Sequence, residues 1–89
     1  MIVRVSSKTI IIQEAMSYWD LRSVLDDVNS ILLSKGYRPT YYFEGTPIMG
    51  QGGFSVIIKL ERGLGVLDKK VLTSILRNKG LNVILEDEL

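Results

Sequence analysis

The sequence predicts an α+β domain, a four-stranded antiparallel sheet with two helices on one face. Two observations lead there. First, one unit occurs twice: an amphipathic helix ending in Lys-Gly, then at once an extended apolar run. Residues 21–34, Lys35-Gly36 and residues 37–44 make the first copy; residues 71–78, Lys79-Gly80 and residues 81–86 make the second. Second, a β-branched run precedes the first copy and an alternating strand separates the two. The resulting order is strand, helix, strand, strand, helix, strand.

Each element has its own signal. Residues 2–5 and 9–12 are β-branched runs split by Ser6-Ser7-Lys8, either one long strand with a bulge or a small hairpin. Ile10-Ile11-Ile12 reads as buried on both faces. The first helix opens at Ser17 as N-cap, with Asp20 three residues on and a Met16–Leu21 staple. Leu21, Val24, Leu25, Val28, Ile31 and Leu32 then form one stripe at helical period. Gly36 supplies the left-handed residue that ends it.

Residues 38–44 alternate, with Thr40, Tyr42 and Glu44 on one face and Pro39, Tyr41 and Phe43 on the other. Pro39 cannot donate to a ladder, which marks an edge strand. Residues 45–53 form a glycine-rich loop, too long for a tight hairpin. From Phe54 to Glu61, Phe54, Val56, Ile58 and Leu60 face the core, with Ser55, Ile57, Lys59 and Glu61 opposite. The second helix is expected from Asp68, with a Leu67–Leu72 staple, and residues 82–86 close the chain as a strand.

Each helix links strands of like direction, and the two halves meet through a hairpin. With right-handed crossovers this order resembles the ferredoxin-like βαββαβ arrangement. That superfold hosts many unrelated activities and names none of them.

The chain has 89 residues, one domain's worth. It has no cysteine, which excludes disulfides, a thiolate nucleophile and zinc–thiolate sites, and no histidine, the commonest general base. A net charge of +1 gives no overall field toward nucleic acid or membrane. No apolar run reaches the roughly 20 residues of a membrane span, and the first residues lack the features of a signal peptide. A cytoplasmic protein with no membrane association is expected. The lack of cysteine and the few Asn and Gln fit a heat-adapted source.

No catalytic constellation is present, and no cofactor or metal is expected. The serines have no histidine to activate them, and the adjacent Asp26 and Asp27 splay apart on a helix. Acylphosphatases carry an arginine in a glycine-flanked loop after the first strand; residues 13–17 here have neither. A non-enzyme is expected.

Three surfaces are candidates for binding. Arg62, Lys69 and Lys70 cluster near the start of the second helix, a candidate anion or nucleic-acid contact. On the open sheet face Tyr42, Ile57 and Ile84 stand among polar residues, a candidate protein interface, and Ile48 and Met49 put apolar side chains at the tip of the glycine-rich loop. The helices also differ in charge. Residues 13–34 carry Glu14, Asp20, Asp26 and Asp27 against Arg22, net −3; residues 66–80 carry Lys69, Lys70, Arg77 and Lys79 against Asp68, net +3. A face with an acidic and a basic half can pair with its own copy across a two-fold axis.

Pro39-Thr-Tyr41, Phe54-Ser-Val56-Ile-Ile58, Gly63-Leu-Gly65 and Lys69-Lys70 follow one another in an order that resembles double-stranded-RNA-binding domains. The resemblance is partial. It leaves no room for that family's third strand and lacks its loop histidine, and an extra residue separates the glycines from the lysines. It implies phosphate contacts at Lys69 and Lys70. The expectation is therefore a small self-associating module, a homodimer through a sheet face or edge, acting in binding, assembly or regulation with a protein partner. The alternative is a DNA- or RNA-binding protein using Arg62, Lys69 and Lys70.

Overall fold

The computed structural model describes residues 1–15, 17–44 and 53–86. Met16, Ile48 and Met49, and with them the first staple and the loop-tip candidates, lie outside the described residues. Among the described residues there are two helices and a five-stranded mixed sheet: β1 (Ile2–Val5), β2 (Thr9–Ala15), α1 (Tyr18–Ser34), β3 (Pro39–Glu44), β4 (Phe54–Leu60), α2 (Val66–Asn78) and β5 (Asn82–Leu85). The strand order is β3-β4-β2-β1-β5.

The α+β class holds, but the sheet is neither four-stranded nor wholly antiparallel. Residues 2–15 form a hairpin, not one strand: β1 and β2 pair antiparallel, with Val3 opposite Ile12 and Val5 opposite Ile10. Ser6 closes the turn by donating both its N–H and its hydroxyl to the Thr9 carbonyl, each at 2.9 Å. The extra strand β1 occupies the place beside β2 that the last strand was expected to take. One added antiparallel strand reverses the local direction, so β5 pairs parallel to β1, with Val3 opposite Val83. The remaining contacts, β2 to β4 and β4 to β3, are antiparallel. Two described strands, not three, lie between the helices.

Alternation sets the core. Val3, Val5, Ile10, Ile12, Val56 and Ile58 share one face and are fully buried. Leu21, Val24, Val28 and Leu32 of α1 and Leu72 and Leu76 of α2 join them in one cluster, so both helices cover this face.

The two Lys-Gly stops are the same structure built twice. Gly36 and Gly80 have φ of +82° and +85°, where any side chain would be strained. After α1, the N–H groups of Gly36 and Tyr37 donate to the Leu33 and Leu32 carbonyls at 3.1 and 2.9 Å. After α2, those of Gly80 and Leu81 donate to Arg77 and Leu76 at 2.9 and 3.3 Å. Both are Schellman closures with an apolar residue folded back on the helix's last buried leucine. At the other end of α1, Ser17 accepts from the Trp19 N–H at 3.2 Å, the expected N-cap.

The start of α2 departs from expectation. The helix begins at Val66 with Gly65 as N-cap, two residues before Asp68. Leu67 is 75% exposed, so no Leu67–Leu72 staple forms. Leu64 packs on the core instead. A turn without a capping side chain is invisible to a search for Ser, Thr, Asp or Asn.

Candidate functional site

The open face of the sheet carries a row one residue deep across the five described strands, apolar on four of them and crossed by Arg4 on β1. Strand register puts Ile84 beside Arg4, Arg4 beside Ile11, Ile11 beside Ile57, and Ile57 beside Tyr42. Facing pairs in a sheet point to the same side, so these five side chains form a continuous band. Ile11 and Ile57 are half-buried by their neighbours, while Tyr42 and Ile84 at the ends are exposed. The expected trio Tyr42, Ile57 and Ile84 is thus brought into one line. Ile11 was missed, because three consecutive isoleucines hide which face the middle one takes.

Two cations of this face, Arg4 and Lys59, are held within the chain. Arg4 donates through Nε to Gln13 Oε1 at 3.0 Å and through Nη1 to Glu86 Oε1 at 2.9 Å. Lys59 Nζ lies over the Tyr42 ring, 5.2 Å from its centre. Arg4 therefore sits within the band, between Ile84 and Ile11, with its charge already matched.

The basic trio is not brought together. The Arg62 guanidinium stacks on the Tyr37 ring, 3.9 Å from its centre, donates through Nη2 to the Lys35 carbonyl at 3.0 Å and pairs with Glu61 at 3.6 Å. Lys69 and Lys70 instead line a groove of about 560 Å³ between α2 and β5, which Arg62 does not line. Their companion cation is Arg77. The helix charges are also partly matched within the chain: Lys79 Nζ meets Asp27 Oδ2 at 2.5 Å and donates to the Ser23 hydroxyl at 3.3 Å.

Two further features escaped the sequence. Tyr18 and Trp19 pack edge to face with centroids 5.7 Å apart and remain largely exposed at the start of α1. On the β3 side, the Tyr41 hydroxyl donates to Asn29 Oδ1, and burial pushes its pKa up from the usual 10.0. Among the described residues no cluster of acidic side chains is arranged to hold a metal ion, and no helix is long and apolar enough to cross a membrane. The chain matches no known protein family, no curated protein and no solved structure.

Proposed function

We propose that this protein is a non-enzymatic binding or assembly module that self-associates through the open face of its sheet. The apolar band Ile84–Arg4–Ile11–Ile57–Tyr42 carries the reading. Scattered apolar residues are normal on a protein surface, but a continuous band rimmed by polar groups has the pattern of an interface. One side of the sheet lies under the helices; the side that bears the band has neither described helix over it.

A two-fold axis through the centre of the band would stack each copy on its twin, an isologous contact. Arg4 does not oppose this, because Gln13 and Glu86 already satisfy it. The absence of histidine and cysteine from the sequence supports the non-enzymatic part of the reading.

Light scattering on the eluting protein tests it. Twice the monomer mass at micromolar concentration is expected, reverting to monomer in Ile57→Glu, which puts a charge within the apolar stretch between Ile11 and Tyr42. A wild-type monomer, or an Ile57→Glu dimer, would overturn the proposal.

A further inference from the structure

A second surface, separate from the open face, is built to take a strand from another protein. We infer that the groove between α2 and β5 binds an extended peptide of alternating acidic and apolar residues, which pairs with the free edge of β5.

The lining of the groove sets the chemistry. Val66, Lys69 or Lys70, Thr73 and Arg77 follow one another at three- and four-residue steps, so they form one face of α2, and Leu85 of β5 closes the other wall. Three of these side chains are cations, and no carboxylate lines the groove among the described residues. The acid closest in sequence, Asp68, is held by the Tyr37 hydroxyl at 2.7 Å, and Glu86 by Arg4. Lys69 and Lys70 have no hydrogen-bond or ion-pair partner among the described residues. The groove thus presents unmatched positive charge beside exposed aliphatic surface, Val66 at 73% and Leu85 at 49%.

The edge of β5 supplies main-chain recognition. Its only strand partner among the described residues is β1. The Glu86 N–H points inward to the Val5 carbonyl at 2.8 Å, so by alternation the main-chain groups of Val83 and Leu85 point outward. Arg77 confirms the direction, reaching the Val83 carbonyl through Nη2 at 3.4 Å, a long bond that leaves the oxygen's second lone pair for an added strand. A strand added about 4.8 Å beyond β5 would run beneath the cationic face of α2. Every second side chain would then point into the groove, so the acidic ones all meet Lys69, Lys70 and Arg77 there, while the apolar ones lie on the opposite side, next to the exposed Ile84.

Thr73 is the independent sign of a missing partner. It is only 4% exposed, lines the groove, and its hydroxyl has no hydrogen-bond partner among the described residues. A buried hydroxyl left in this state costs stability. Nucleic acid fits less well, because the groove offers aliphatic side chains and no aromatic ring to stack a base.

The test is fluorescence anisotropy of a labelled ten-residue peptide alternating Glu with Val, titrated with the full chain. Saturable binding is expected, weakening as salt rises, with no binding of the matching Lys–Val peptide or of an N-methylated Glu–Val peptide that cannot pair as a strand. Lys69→Glu with Lys70→Glu should weaken binding about tenfold or more at an unchanged melting temperature. Thr73→Val should weaken it about threefold while raising the melting temperature, a combination that a purely structural role does not produce.

Four outcomes would overturn the inference: no binding; equal binding by the double-lysine variant; competition by a thymidine decamer; or a peptide that splits the homodimer, which would make a second copy the natural occupant. Binding that appears only after residues 87–89 are replaced by Gly-Ser would assign the groove to the chain's own end and overturn it as well. Ile57→Glu should bind the peptide unchanged, which separates this surface from the open face.

Discussion

The Tyr37 hydroxyl donates to Asp68 Oδ2 at 2.7 Å, joining the residue just after the end of α1 to the first turn of α2. The same oxygen accepts the Gly65 N–H at 2.8 Å. Gly65 has no side chain to cap α2, and Tyr37, 1% exposed, supplies that function from a distance. Arg62 covers the other side of the ring. Tyr37→Phe keeps the ring and its stacking and removes only the hydroxyl. It should lower unfolding free energy by about 1.5–3 kcal/mol, the range for a bond to a charged group. Urea unfolding at neutral pH measures this; a loss below about 0.5 kcal/mol would show that the bond does not cap α2.

The bulge in β2 gives a pair of opposite predictions. Ile12 faces Val56 and Ala15 faces Phe54, so β2 carries one residue more than β4 across this interval. Glu14 absorbs it with φ of +59°, a left-handed conformation that costs a residue with a Cβ about 1 kcal/mol. Glu14→Gly should therefore stabilise the protein by about 0.5–1 kcal/mol. Opposite the bulge, a Cβ on Gly53 would lie 2.5 Å from the Ala15 carbonyl oxygen. That neighbour is backbone and cannot step aside, so Gly53→Ala should cost about 1–3 kcal/mol. Thermal unfolding of the two variants should move in opposite directions, and movement in the same direction would contradict the bulge geometry.

Tyr41 sets a limit on stability at high pH. Burial raises its pKa in the folded chain above the value of about 10 that it has when unfolded. Between those two values the folded state holds a proton that the unfolded state has released. The contribution is therefore full below about pH 10 and is lost as pH rises through the folded value. Tyr41→Phe removes this dependence. Urea unfolding at pH 8 and above pH 10 should show a smaller alkaline loss in the variant than in the wild type; equal losses would mean that Tyr41 titrates alike in both states.

Legibility in the sequence followed how local each signal is. The two Lys-Gly stops could be read because a left-handed residue after an amphipathic stripe leaves few alternatives to glycine. Pro39 marked β3 as an edge for an equally local reason, its missing donor. The β1–β2 hairpin was legible only as one of two readings, since Ser6-Ser7-Lys8 lacks the Asn-Gly or Asp-Gly that marks a two-residue turn. With that choice open, the parallel pairing of β5 could not be foreseen, nor the open-face position of Ile11. The partners of Arg62 were not legible, for a different reason. Near Lys69 and Lys70 in sequence, it meets the Tyr37 ring only after a tertiary fold that no local pattern encodes.

The ion pair beneath the band yields the last prediction. Arg4 and Glu86 are each about two-fifths exposed, and such pairs contribute about 0–1 kcal/mol to folding. Glu86→Gln should therefore leave the melting temperature of the monomer nearly unchanged. The proposed interface is a different environment, because closing two copies over the band removes water from Arg4. Without Glu86 the guanidinium keeps only the neutral Gln13 and would be desolvated inside the contact with its charge unpaired, at a cost far above its effect on folding. The variant should dissociate about tenfold more readily than the wild type. Arg4→Met should do the reverse, since an apolar chain of similar length continues the row between Ile84 and Ile11 with no charge to desolvate. Sedimentation equilibrium of the three proteins at one salt concentration makes the comparison. If both substitutions shift association the same way, the band is not where the copies meet.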